Sequence, residues 1–347
     1  MRDNMDTQII TNPSDQELDM LARALRNGEL VSIPTETVYG LGANGLDPEA
    51  MDKIYTAKGR PSDNPLILHV PNSESIKPLV TEVSNTAQLL MDTFWPGPLT
   101  ITLPKSDLVP DRATGGLPRV ALRCPDHELC RALLERAGVP IAAPSANISG
   151  RPSPTTAQDV YHDMKDRISY ILDAGSCTIG VESTVVEVHD DKVIILRPGG
   201  ITKAQLECVV STVEYDTALV NATTTPKAPG MKYTHYAPDA PMTVVVGSPE
   251  GVAHTFKELS EGIEGPIGCL VSHETYNLIK EDGRFMCHCF GHHGDALALG
   301  HDFYKSLLHF NENHVTLILA EGVDDDGFGV AIMNRMEKAS SHHIIYK

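Results

Sequence analysis

The chain has 347 residues, about two domains at roughly 150 residues each, and is long enough to bury a core without disulfide or metal staples. Hydrophobic residues make up 41%, charged residues 21% and aromatics 5%, an ordinary globular composition rather than a disordered or collagen-like one. Lys plus Arg number 28 against 46 Asp plus Glu, a formal net charge of -18; this excludes coating nucleic acid or an anionic membrane by bulk attraction, but not a local basic pocket.

Seven cysteines, thinly spread, argue against a secreted disulfide framework. The N-terminal residues carry no apolar signal core, and no run reaches the roughly 18 apolar residues of a membrane span. The expectation is a soluble, cytoplasmic protein with no membrane partner.

In chain order, Ser14 and Glu17 form a capping-box pattern, and Leu18, Leu21 and Leu25 recur at helical spacing until Gly28. Residues 30–33 read as a strand entering the loop Pro34-Thr-Glu-Thr-Val-Tyr-Gly-Leu-Gly42. A helix over 48–58 follows, with Met51, Ile54 and Tyr55 on one face and Gly59-Arg60-Pro61 ending it. Strand-like runs fall at 66–70, 99–103, 120–123, 141–143, 181–188 and 193–196, and helices at 86–94, 128–137, 156–164 and 202–210. This part is therefore mixed α/β. Over 211–240 periodicity is weak and Thr, Ala and Pro are frequent, which predicts a linker. Beyond it, strands at 244–246, 268–271, 286–290 and 316–319 alternate with helices at 249–260, 275–280, 295–310 and 330–339, the rhythm of a small parallel sheet. The expected organisation is 1–210, a linker at 211–240, and 241–347.

Several segments could carry chemistry. Lys58-Gly-Arg60-Pro-Ser62-Asp-Asn-Pro65 sets two cations about a glycine ahead of a rigid turn, which suits an oxyanion; basic capping of a helix C-terminus is the other reading. Pro144-Ser-Ala-Asn147-Ile-Ser-Gly-Arg-Pro-Ser153 follows the strand-like run 139–143, where α/β sheets commonly bind ligands; a polar surface turn would look the same. Arg119 and Arg123 share one face of a strand, and Arg197 ends a buried-looking one. An arginine so placed needs an anion, from a ligand or a salt bridge. Phosphate-loop, dinucleotide-fold and nucleophile-elbow signatures are absent. Cys287-His-Cys289 with His292 and His293 lacks the spacing of a zinc site, and Asp324-Asp-Asp-Gly327 lacks the terminal Glu of a calcium loop.

Taken together, the motifs resemble the threonylcarbamoyl-AMP synthase family, in its longer form with a YrdC-like catalytic domain and an added C-terminal domain. The resemblance spans almost the whole chain. It rests on 34–42, Lys58-Gly-Arg-Pro61, Trp95-Pro-Gly-Pro-Leu-Thr100, Pro144-Ser-Ala-Asn147, Glu182-Ser-Thr-Val185, Arg197-Pro-Gly-Gly200, Pro229-Gly-Met-Lys-Tyr-Thr-His-Tyr-Ala-Pro238 and Gly327-Phe-Gly-Val-Ala-Ile-Met-Asn-Arg335. It implies an α/β fold: a twisted mixed sheet with flanking helices, then a small Rossmann-like parallel domain, with 211–240 lying over the active site as a lid.

The implied reaction joins L-threonine, bicarbonate and ATP into threonylcarbamoyl-AMP and pyrophosphate. The product would pass to threonylcarbamoyl transferase machinery that modifies tRNA beside the anticodon. By motif match, Lys58 and Arg60 are the catalytic candidates. Lys58, Ser62, Arg119, Ser145, Asn147, Ser153, Arg197 and Tyr236 are implied for ATP, and Thr35, His69, Arg123, Ala143 and Ser183 for threonine. Arg119 departs from the small hydroxyl residue expected there. Mg²⁺ is expected with ATP, held mainly by phosphate oxygens. YrdC-like domains also suggest double-stranded RNA binding, but the net charge leaves tRNA contact weak or indirect. Carbamoyl transferases of hydrogenase maturation share the domain; they carry paired Cys-x-x-Cys motifs that this chain lacks.

Overall fold

A computed structural model describes residues 6–62, 64–219 and 236–347. The chain divides into two units. The first holds the described residues up to 219, apart from 150–152 and 179–181, which group with 236–347 in the second.

The first unit is built on eleven strands: β1 (Gln8–Thr11), β2 (Val31–Ile33), β3 (Gly40–Asn44), β4 (Ile67–His69), β5 (Leu99–Pro104), β6 (Arg119–Arg123), β7 (Ile141–Ala142), β8 (Tyr170–Asp173), β9 (Thr184–Val188), β10 (Val193–Arg197) and β11 (Val213–Tyr215). Its helices are α1 (Asp15–Arg26), α2 (Pro48–Lys58), α3 (Asn85–Phe94), α4 (Asp111–Thr114), α5 (Glu128–Ala137), α6 (Ala157–Met164) and α7 (Lys203–Glu207). The strands form one mixed sheet in the order β1-β8-β2-β3-β7-β4-β6-β5-β9-β10-β11.

Local chemistry sets the helix ends. Ser14 accepts from the Glu17 amide at 3.3 Å while the Glu17 carboxylate accepts from the Ser14 amide at 2.8 Å, closing the capping box that starts α1. Asp47 caps α2 and Pro48 opens it. Gly59 ends it at φ 62°, a left-handed cap that glycine adopts without a Cβ penalty. Side chains alternate along strands, so the sheet has two faces. Leu68, Leu122, Val186 and Ile195 enter the main core with Met51 and Ile54 of α2 and Leu90 of α3. Ile67, Ala121, Val185 and Leu196 form a small cluster of their own on the other face.

Besides short elements that the sequence reading does not identify (β1, β8 and α4 in this unit, the strand Ile344–Tyr346 in the second), four differences stand out. β3 lies partly inside the stretch read as a loop: Gly42 pairs with Val31, and a Cβ there would sit 2.9 Å from the Val31 carbonyl oxygen. Glycine both allows that approach and hides the strand from propensity. β9 begins at Thr184 instead of 181, where pairing with Leu99 of β5 starts. α7 stops at Glu207. Finally, the first sheet continues past residue 210 into the stretch read as a linker, since β11 pairs in parallel with β10. Residues 220–235 of that stretch, and with them most of 229–238, lie outside the described residues, as does Asp63.

The second unit has a wholly parallel five-stranded sheet: β12 (Met242–Val246), β13 (Ile267–Ser272), β14 (Phe285–Gly291), β15 (Leu317–Glu321) and β16 (Ile344–Tyr346), ordered β14-β13-β15-β12-β16. Four helices flank it: α8 (Pro249–Leu259), α9 (His273–Ile279), α10 (Ala296–Glu312) and α11 (Gly329–Ala339). Val245, Val252, Phe256, Cys269 and Leu319 form a core cluster. Cys287 and Cys289 are half-buried on β14, and Asp324 to Gly327 form an exposed turn. No helix among the described residues is long and apolar enough to cross a membrane.

One close approach shapes the first unit. A Cβ at Gly199 would lie 2.3 Å from the Thr184 amide nitrogen and 2.4 Å from the Glu182 carbonyl oxygen, so the turn after β10 lies directly on the chain entering β9. Gly199→Ala is expected to cost about 1–3 kcal/mol through forced backbone displacement. The measurement is chemical denaturation followed by fluorescence of Trp95, the single tryptophan, which reports the first unit. An unchanged midpoint would refute the constraint.

Candidate active site

Lys58 is the last residue of α2, yet it is only 2% exposed. A buried ammonium must have its three N–H groups satisfied, and the loop after β7 supplies the oxygens. Nζ donates to the Ser145 carbonyl, to the Asn147 carbonyl at 2.6 Å and to Asn147 Oδ1 at 3.4 Å. The Ser149 amide donates back to the Lys58 carbonyl at 2.9 Å. Burial first, and then the neighbouring Arg60 charge, hold the Lys58 pKa well below its ordinary value, while Asp163 and Glu182 act in the opposite sense. Asp163, itself buried, accepts from the Ile148 amide at 3.0 Å and steadies the same loop. Arg60 is half-buried and donates to the Pro65 carbonyl at 3.1 Å; Ser62 is exposed in the turn between them.

A second group gathers on the sheet face that bears Ile67 and Ala121. His69 and Arg123 are register partners on β4 and β6, and both are buried. Arg123 pairs with Glu36 at 2.7 Å and donates to Thr37 Oγ1 at 2.9 Å and to the Gly97 carbonyl at 3.4 Å. The Thr35 and Thr37 hydroxyls are 2.9 Å apart, and Thr35 Oγ1 donates to the Val38 carbonyl at 2.6 Å. Burial, reinforced by Arg123, lowers the His69 pKa to about 3, so the imidazole is neutral at physiological pH. Ala143 is buried beside this group, and its amide donates to the Ile67 carbonyl at 3.0 Å.

Ser183 holds Arg197. Its hydroxyl lies 2.8 Å from Thr100 Oγ1, and its carbonyl accepts from Arg197 Nε at 3.1 Å and Nη2 at 3.0 Å. Ser153, fully buried, donates to Glu182 at 2.6 Å.

Arg119 starts β6 at the other end of the face. Its Nη2 donates to the Thr102 carbonyl at 2.7 Å and the Val188 carbonyl at 2.8 Å, bracing β5 and β9. It borders a cavity of about 160 Å³ lined by Leu66, Ala121, Val185, Glu187 and Leu196. Tyr236 lies in the second unit, buried, among residues of α10 and α11.

The sequence-expected residues of the first unit thus fall into two braced groups, the Lys58–Ser145–Asn147 loop and the His69–Arg123–Ser183–Arg197 face. The sequence reading missed Glu36, Thr37, Thr100, Glu182 and Asp163 as partners. The only signal was a carboxylate between two threonines in 35–37 and another beside Ser183.

Two family models match: one described as Telomere recombination, of the Sua5–YciO–YrdC type, over residues 23–199, and one described as Threonylcarbamoyl-AMP synthase, C-terminal domain, over 201–341. A threonylcarbamoyl-AMP synthase of Bacillus subtilis is 46% identical, covering 96% of this chain and 95% of that protein. One of Pyrococcus abyssi is 44% identical, with 95% covered on each side. The crystal structure of P. abyssi Sua5 complexed with L-threonine superposes with a TM-score of 0.89 at 40% identity, covering 98% of this chain and 99% of that one. Agreement of this kind from end to end, in both units, means that the chain belongs to the threonylcarbamoyl-AMP synthase family, enzymes that make an AMP-linked intermediate by adenylyl transfer.

Proposed function

We propose that this protein condenses L-threonine, bicarbonate and ATP into threonylcarbamoyl-AMP, releasing pyrophosphate, and that the product serves threonylcarbamoyladenosine modification of tRNA through partner transferases. The observation that carries this reading is the presence in one unit of three buried cations, Lys58, Arg123 and Arg197, each held by oxygens, in a chain otherwise strongly acidic. The threonine amine and bicarbonate give a carbamate and water. A carbamate oxygen then attacks the α-phosphorus, and the bond to the β-phosphate oxygen breaks as pyrophosphate leaves. Such a reaction asks for positioning and charge neutralisation rather than a side-chain nucleophile.

In this reading Lys58, Arg60 and Ser62 take the phosphates and the bicarbonate-derived group. Ser145, Asn147, Ser153, Arg197 and Tyr236 take the nucleotide, with Arg119 beside the cavity that would receive its base. Thr35, His69, Arg123, Ala143 and Ser183 take threonine, the amino acid bound in the P. abyssi complex. Arg123 would share its fork between Glu36 and the substrate carboxylate. Among the described residues no cluster of three His, Cys, Asp or Glu side chains is placed to hold a metal ion. Mg²⁺ would accompany ATP, held mainly by phosphate oxygens, and would neutralise phosphate charge.

Lys58→Ala and Arg60→Ala are each expected to abolish pyrophosphate release that depends on both threonine and bicarbonate, in assays omitting one substrate at a time. Near-normal rates in both variants would overturn the site. Neutral His69 carries a second expectation. Its folded pKa lies below the unfolded value near 6.5, so folding favours the deprotonated ring, and the associated stability fades as pH falls from about 6.5 toward about 3. Threonine affinity, followed by calorimetry, should accordingly show no titration step near pH 6.5, where an ordinary exposed histidine would give one.

A further inference from the structure

Cysteines gather on one patch of the second unit. Cys269 on β13 and Cys287 on β14 are register partners, so their side chains leave the sheet on the same face, which Cys289 shares two residues further along. Neighbouring strands lie about 4.8 Å apart, within the Cα separation of about 4.4–6.8 Å that a disulfide spans. Cys269 is fully enclosed, whereas Cys287 and Cys289 are half-buried against the same core cluster.

The sulfurs are chemically unequal. The Cys269 thiol donates a hydrogen bond to the Cys287 sulfur, and that bond holds the Cys287 pKa below its ordinary value against the opposing effect of burial. Burial first, and then the same bond, push Cys269 well above its own. Burial, followed by the charge of Cys287, raises Cys289. The Cys287 thiol reaches the Phe285 carbonyl only at 3.9 Å, a weak contact to surrender. Because the thiolate is the nucleophilic form, Cys287 is the sulfur fitted to react and Cys269 the one placed to follow it. β14 is the edge strand of its sheet. Its ladder slips by one residue beyond Cys289, where Ser272 pairs with Gly291, so the strand has slack to close on its neighbour.

We propose that Cys287 and Cys269 form a redox-active pair, a modification site for hydrogen peroxide or another small hydroperoxide. The Cys287 thiolate attacks a peroxide oxygen, the O–O bond breaks, and hydroxide leaves and takes up a proton as water. Cys287 is then a sulfenic acid. Cys269 gives up its proton and its sulfur attacks the Cys287 sulfur; the S–O bond breaks, a second water leaves, and the disulfide forms. The thiols are oxidised and the peroxide is reduced to water. A dithiol reductant reverses the change. The pair lies wholly in the second unit and is independent of the reaction proposed above.

The full-length protein, treated briefly with dilute hydrogen peroxide and alkylated without reduction, should yield a linked Cys269–Cys287 peptide pair by mass spectrometry. Cys208, which is exposed, should remain a free thiol under the same treatment, and dithiothreitol should restore both linked thiols. Cys287→Ser should abolish the link, Cys269→Ala should leave Cys287 as a sulfenic acid captured by dimedone, and Cys289→Ser should change neither result. Oxidation of Cys208 ahead of Cys287, a link from Cys287 to Cys289, or no linked pair at all would overturn the proposal. Should Cys269→Ala fail to fold, dimedone added to the wild type during oxidation decides. Label on Cys287 at the expense of the disulfide supports the order of events, and label on Cys269 refutes it.

Discussion

The buried ammonium of Lys58 is the contact on which the rest of the candidate site depends. Placing that charge inside the first unit is tolerable only because the 145–147 backbone turns its oxygens inward. The same loop is tied on its other side, where the Leu41 amide donates to the Pro144 carbonyl at 2.7 Å and the Ala146 amide to the Tyr39 carbonyl at 2.9 Å. One side chain thereby locks the end of α2, the glycine-bearing strand β3 and the loop after β7 into a single piece. Arg60 opposes the Lys58 charge and the carboxylates favour it, so an incoming phosphate would act in the same direction as Asp163 and Glu182. Anion binding and full protonation of Lys58 would support one another.

The acidic excess of the chain has a local counterpart. Arg123 faces Glu36, Ser153 bonds to the Glu182 carboxylate, and Glu187 lies beside Arg119. Each cation is held in a fixed rotamer before any ligand arrives, so part of the ordering entropy of binding is met during folding. In the proposed reading, a carboxylate substrate entering beside Arg123 would meet a guanidinium whose plane is already set by Thr37 and Gly97.

Much of the fold was legible because its helices carry explicit punctuation. Ser14 with Glu17, and Gly59, set boundaries that the structure reproduces within a residue. Four short strands were not legible, although β2, β4 and β7, no longer than these, lie in apolar runs that read as strands. β1, β8, β11 and β16 have three or four residues each, too few for a period of two to emerge, and they exist because a neighbouring strand offers a ladder. At the site, the motifs named the cations and hydroxyls, but partners distant in sequence had no signal. Asp163 meets the 145–149 loop through α6, and Thr100 meets Ser183 only because β5 and β9 are adjacent.

β11 bears on where this chain can be divided. The change in composition at residue 211 marks an end to sequence patterning, yet β10 still receives backbone pairing from Val213 to Tyr215. A protein trimmed at the compositional break would leave β10 as a bare edge with Val193 and Ile195 along it, a template for strand-to-strand self-association. Modularity in this molecule therefore follows its hydrogen-bond ladders. The first unit ends, for purposes of dissection, after its last strand has been paired.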